Sequence, residues 1–121
     1  MTGHKNQPFA RRLGFALAGF AHALRTEQSV KAQGVIFILV IAAMLWLRPG
    51  ALWWALVSVA SAGVFATELL NTAIEHLADH LHPEIHPRIR VVKDCAAAAV
   101  FIAVLGATGV GVALVAALII K

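Results

Sequence analysis

"ATELLNTAIEHLAD", residues 66–79, closes a long apolar run at the point where a membrane segment should be shedding polar groups. Instead it collects Glu68, Asn71, Glu75 and Asp79. On a helix turning about 100° per residue these side chains fall within an arc of about 80°, so they form one stripe. With a rise of 1.5 Å per residue the stripe is roughly 16 Å long. It runs from just inside the hydrocarbon at Glu68 to the aqueous boundary at Asp79, with Thr72 beside it. A helix that leaves the membrane while carrying such a face sets the expected class, an all-α integral membrane protein.

The rest of the chain agrees. Its 121 residues are 60% hydrophobic and only 13% charged, which excludes an ordinary soluble domain. Three apolar stretches, 34–47, 51–70 and 96–120, each approach the roughly 20 helical residues that cross a bilayer, provided that 30–33 extend the first. The expected organisation is a single domain over 1–121. An N-terminal region, 1–29, precedes helices at 30–47, 51–80 and 91–120 that contain the spans. "RPG", 48–50, is a turn, and Trp46, Trp53 and Trp54 around it mark a membrane interface. Pro83 and Pro87 bound the loop before the third span, which is expected to start near Val91. So small a set of helices has little core to share, and a homo-oligomer is expected.

Residues 8–25, "PFARRLGFALAGFAHALR", have the apolar spacing of an amphipathic helix through Phe9, Leu13, Leu17, Phe20 and Leu24, with Arg11, His22 and Arg25 opposite. Such a helix lies in the headgroup plane, where Leu13, Leu17 and Leu24 either roof a lipid pocket or simply anchor it. A secretory signal ending at Ala21-His22-Ala23 is the rival reading, but helical periodicity dilutes its apolar core. Charge sets the orientation. Lys5, Arg11, Arg12, Arg25, Lys31, Arg88, Arg90 and Lys93 lie on one side and only Arg48 and Lys121 on the other, which places the N-terminus and the 80–94 loop in the cytoplasm. The basic residues make no patch interleaved with aromatics, so a nucleic-acid partner is excluded. Cys95 has no partner for a disulfide.

Buried carboxylates this close together demand a cation. Lys93, followed by Asp94, offers one at the far end of a short loop. An all-oxygen donor set at a water–lipid boundary also suits Mg²⁺, which is usually held by one or two carboxylates together with substrate phosphates. Phosphoryl transfer follows: Mg²⁺ neutralises phosphate, Lys93 stabilises shifting charge, and a carboxylate deprotonates the attacking hydroxyl. "GATGVG", 106–111, sits within a span and is not a phosphate loop. His76 and His80 have the spacing of a zinc pair, yet polar contacts at a wet interface explain them with less.

"ELLNTAIEHLAD" together with "KDCAAAAV", 93–100, resembles the signature of the prokaryotic diacylglycerol kinase family, which includes undecaprenol kinases, and the likeness runs from about Arg12 into the third span. It implies a homotrimer in the bacterial cytoplasmic membrane, with a surface helix, three spans and sites shared between protomers. The γ-phosphate of ATP would pass directly to the hydroxyl of diacylglycerol or undecaprenol. By that likeness Glu68 would be the catalytic base, in contact with the lipid, and Glu27 and Glu75 would hold Mg²⁺. Asn71, Lys93 and Asp94 would contact ATP along with the two metal-holding glutamates, and Glu84 and His86 match loop positions that flank the nucleotide. Phe15 falls at an ATP-contacting position where familiar members carry Tyr, so a hydroxyl is lost there; Gln33 stands where some have Glu, and Arg90, Val91 and Val92 replace smaller residues. A small oligomeric transporter, the competing class, would need its ionisable groups near mid-bilayer, whereas here they collect at one face.

Overall fold

The computed structural model describes residues 3–120; Met1 and Thr2 of the N-terminal region, and Lys121 of the charge pattern, lie outside the described residues. A 3-10 turn at His4–Asn6 leads into α1 (Phe9–Thr26), followed by α2 (Gln28–Leu47), α3 (Ala51–Leu81) and α4 (Pro87–Ile119), with no strand among the described residues. By length and composition α2, α3 and α4 can each cross a membrane.

The ends of the helices follow local chemistry. At the end of α2, Arg48 turns left-handed (φ 51°, ψ 54°) and its N–H donates to the Met44 carbonyl at 2.9 Å. Pro49 has no N–H with which to continue, and the Gly50 carbonyl accepts from Trp53 N–H at 3.0 Å to open α3. Pro83 disfavours helical backbone at His82, just beyond the end of α3. The next helix begins earlier than the expected Val91: α4 opens at Pro87, a residue suited to a first turn because the N–H it lacks would have had no partner there. His86 caps that end, its Nδ1 accepting from Arg88 N–H at 3.1 Å.

α3 is the shared partner. α4 runs along it over most of its length, α1 and α2 also pack against it, and α2 and α4 make no close approach to each other. Near the 48–50 turn, Met44, Val57 and Leu114 form a buried cluster. Trp53 and Trp54 are partly buried against it while Trp46 is exposed, so two of the three tryptophans pack as well as mark an interface. Toward the other end Phe65 of α3 lies between Phe20 of α1 and Phe37 of α2, with ring centroids 5.7 and 5.6 Å away. Between α2, α3 and α4 lies an apolar cavity of about 830 Å³, lined by residues such as Phe37, Val40, Val64, Val104 and Leu114, with Gln33 among its few polar groups.

One residue links α1 to α2. Glu27 is extended (φ −103°, ψ 119°), its N–H donates to the Ala23 carbonyl at 2.8 Å, and its own carbonyl accepts from Lys31 N–H at 3.1 Å. Glu27 therefore turns the chain with both of its own backbone groups bonded. Thr26 Oγ1 donates to the His22 carbonyl at 2.9 Å, a back-bond that bends helices. Ala23 and Val30, on either side of the turn, are fully buried.

The backbone of Arg48 is the one positive-φ conformation of a non-glycine residue among the described residues, and left-handed backbone costs an L-residue about 1–2 kcal/mol. Arg48→Gly is therefore expected to raise resistance to unfolding by about 1 kcal/mol, measured by titration with a denaturing detergent in mixed micelles.

Candidate functional site

α3 changes character along its length. Its first turns carry only apolar and small residues and Ser58 and Ser61, and the polar stripe begins at Glu68. Glu68 is 4% exposed, the one buried charged residue among those described, and no hydrogen bond or ion pair reaches its carboxylate. Three residues on, Asn71 Oδ1 is buried with no hydrogen-bond partner. A buried oxygen left this way costs about 1–3 kcal/mol, which a structure tolerates where a ligand completes it. Thr72 and Glu75 are half-buried on the same helix.

α1 covers this stretch. Phe20 meets Phe65, and His22 meets the His76 ring edge-on with centroids 6.4 Å apart, so α1 crosses α3 between positions 65 and 76 and brackets Glu68 and Asn71. The turn after α1 then brings Glu27 to α3, where its Oε1 lies 3.0 Å from His76 Nε2. From the other side, α4 brings Lys93, whose Nζ donates to Asp79 Oδ1. Lys93 precedes the charge-free segment 96–120, outside the bilayer core. Its ammonium is held above the usual lysine value by the Asp79 hydrogen bond first; burial opposes, and the charges of Asp79 and Glu75 add.

Three separate elements thus converge on the stripe, two of them bringing charge. Glu27, Glu68, Glu75 and Asp79 outnumber the one lysine among them, so the excess negative charge favours a cation or a ligand that carries one. Every donor in that group is oxygen, which suits a hard divalent ion. Among the described residues no three His, Cys, Asp or Glu side chains converge as a ligand set of their own, which fits an ion held partly by phosphate better than a closed protein site. His76 is turned to Glu27 and does not pair with His80.

Other residues singled out in the sequence make their contacts elsewhere. Asp94 is exposed, with Arg90 Nε 3.9 Å from its Oδ2. Glu84 Oε2 is 3.2 Å from His82 Nδ1, and His86 spends its Nδ1 on the α4 cap. Phe15 stacks on His4 with centroids 4.1 Å apart. Leu13 and Leu17 are exposed, while Leu24 is half-buried beside Gly34 of α2. The contact that sequence reasoning passed over is His76 with Glu27. Its only signal was a histidine next to Glu75, because nothing in residues 26–28 announces a helix break by proline or glycine.

A family described as prokaryotic diacylglycerol kinase matches residues 14–115. A diacylglycerol kinase from Synechocystis sp. is 34% identical over 98 residues, which cover 80% of this chain and 56% of that protein. An undecaprenol kinase from Bacillus subtilis is 30% identical over 99 residues, 80% of each chain. A diacylglycerol kinase from Escherichia coli K12 is 31% identical over 92 residues, 76% of this chain and 75% of that one. The chain therefore spans a little over half the length of the Synechocystis relative and most of the other two.

If Asn71 Oδ1 is kept for a ligand, its burial destabilises the free protein. Asn71→Leu, which keeps the same branched shape without the orphaned oxygen, is expected to leave the ligand-free protein at least as stable, with a gain of about 1 kcal/mol in the same detergent titration.

Proposed function

The chain belongs to the prokaryotic diacylglycerol kinase family and is a lipid kinase, and from that membership and the site's geometry we propose that it transfers the γ-phosphate of ATP directly to the hydroxyl of diacylglycerol, with Mg²⁺, to give phosphatidic acid. The observation that carries this reading is Glu68, 4% exposed as a residue and without a hydrogen bond or ion pair, one helical turn from the orphaned Asn71 oxygen on a helix leaving an apolar phase. A lipid whose tails stay in the bilayer presents its hydroxyl at that depth.

The roles follow from chemistry. Glu68 takes the hydroxyl proton as the lipid oxygen forms its bond to the γ-phosphorus and the bond to the bridging oxygen of ADP breaks. A base with no hydrogen-bond partner of its own keeps its proton-accepting oxygens for the lipid. Asn71 offers its side-chain amide to the nucleotide, and Lys93, steadied by Asp79, supplies positive charge where negative charge grows on the departing ADP phosphate. Glu27 and Glu75 would hold Mg²⁺, which when bound offsets phosphate charge. Phe15, Glu84, His86 and Asp94 are assigned to the nucleotide on the family resemblance, Thr72 and Asp79 support the stripe, and Leu13, Leu17 and Leu24 are assigned to the lipid. The apolar cavity beside α3 supports room for a tail.

A homotrimer with sites shared between protomers is part of the proposal. It is supported by how little of the apolar helices is buried within one chain, and by Asp94, Glu84 and His86 standing exposed rather than turned into the stripe. The excess of basic residues at the N-terminus and in the 80–94 loop supports a bacterial cytoplasmic membrane with the site facing the cytoplasm. Undecaprenol is the second substrate reading, favoured by the match to an undecaprenol kinase over 80% of both chains.

Glu68→Gln is expected to lower ATP-dependent phosphorylation of the lipid by about 10²–10⁴-fold while the oligomer still assembles. The assay offers purified protein labelled ATP and Mg²⁺ with diacylglycerol or undecaprenol in mixed micelles and identifies the product. Full activity in the variant removes Glu68 as the base; exclusive labelling of undecaprenol selects the second substrate.

A further inference from the structure

His76 has no role in the transfer just described, yet it makes the one side-chain bond by which the α1–α2 turn reaches α3 among the described residues. It follows Glu75 directly, so on a helix it stands about 100° round from that carboxylate, on the flank where Glu27 arrives. Its Nε2 lies 3.0 Å from Glu27 Oε1, and no lysine or arginine competes for that carboxylate among the described residues. The His22 ring of α1 stands edge-on to it at 89°. The backbone on the other side is equally determined, since Glu27 is the single extended residue between two helices, flanked by fully buried Ala23 and Val30.

These constraints act on different atoms. The buried neighbours fix where the Cα of Glu27 sits, but they leave its side chain rotational freedom, restrained within its own turn only by the long Thr26 Oγ1 contact to Oε1 at 3.4 Å. The His76 bond removes that freedom at Oε1 and leaves Oε2 unengaged. Facing a carboxylate, which only accepts, the ring engages Oε1 as an Nε2–H donor. Partners of this kind, which orient a metal-holding side chain without touching the metal, typically carry about 10–100-fold in metal affinity.

We propose that His76 is a positioning residue: its Nε2–H holds Glu27 against α3, so that the free oxygen of Glu27 is presented beside Glu75 to the divalent cation of an incoming nucleotide. The inference rests on the assignment of Glu27 and Glu75 as the metal-holding pair. It predicts that removing the imidazole weakens metal binding while leaving the transfer step itself largely intact.

The test titrates Mn²⁺, followed by electron paramagnetic resonance, into the full-length protein in micelles with a non-hydrolysable ATP analogue. Wild type is compared with His76→Ala, His76→Gln, His76→Leu and Glu27→Ala, and the Mg²⁺ dependence of turnover is measured alongside. His76→Ala is expected to weaken Mn²⁺ binding about tenfold and to raise the half-maximal Mg²⁺ concentration similarly, with kcat at saturating Mg²⁺ within about twofold. His76→Gln, whose amide can donate to the same oxygen, is expected to recover most of the affinity. His76→Leu fills comparable space without a donor, so the Gln and Leu pair decides the matter even if the Ala variant fails to fold. Equal affinities in Gln and Leu, or wild-type affinity in Ala, overturn the tether. Wild-type affinity in Glu27→Ala overturns the metal assignment beneath it, an outcome distinct from failure of the tether alone.

Discussion

A glutamate side chain must be packed among helices at the edge of an apolar phase, with no cation bonded to it, and the arrangement of the other helices answers that requirement. An ionisable group at such depth is expensive to place. Here α3 supplies the position and the other elements supply the surroundings. α1 crosses the stretch that holds Glu68 and Asn71, the turn after it brings a second carboxylate, and α4 returns with Lys93 to the far end of the stripe. Glu68 and Asn71 remain unpaired at the centre, while their neighbours at the rim are tied down. That division separates groups that must meet a ligand from groups that must hold still.

The turn at Glu27 is how one short chain passes from a helix lying across α3 to a helix running along it. A longer loop would need its own hydrogen-bond partners and would place the carboxylate less exactly in space. A single extended residue has its own N–H and carbonyl bonded by the flanking helices, and the buried side chains at Ala23 and Val30 seat it from both sides. Backbone economy and placement of a functional side chain are therefore the same structural event.

Much of this was written in the sequence in forms that elementary rules can read. The three spans follow from apolar length, and the stripe from a period of 3.6 residues on α3; both needed only local information. The pairing of Lys93 with Asp79 was half legible, since a short proline-bounded loop requires its two ends to be neighbours. What was not legible depends on tertiary contact. Thr26 and Glu27 look like ordinary helix residues, and only the packing of Ala23 and Val30 makes a break there worthwhile. His76 reads as one of several interfacial histidines until α1 lays Glu27 beside it. Pro87 misled for another reason: proline ends a helix from within but starts one from its first turn, and composition alone does not say which.

One chain also leaves its own contacts incomplete. A Cβ placed on Gly106, Gly109 or Gly111 would meet nothing within 4 Å, so the smallness of these residues serves no packing inside the protomer. Ala62 and Ala66 of α3 are exposed too, and α2 and α4 stand apart across the cavity. In lipid, where apolar faces gain nothing merely by leaving solvent, association depends on close approach of backbones, and small residues are what permit it. Under the proposed trimer, those surfaces would meet neighbouring copies, which would also carry Asp94, Glu84 and His86 toward a stripe other than their own. Assembly and completion of the site would then draw on the same contacts, so a protomer forced to remain alone would keep its buried Glu68 and lose the means to use it.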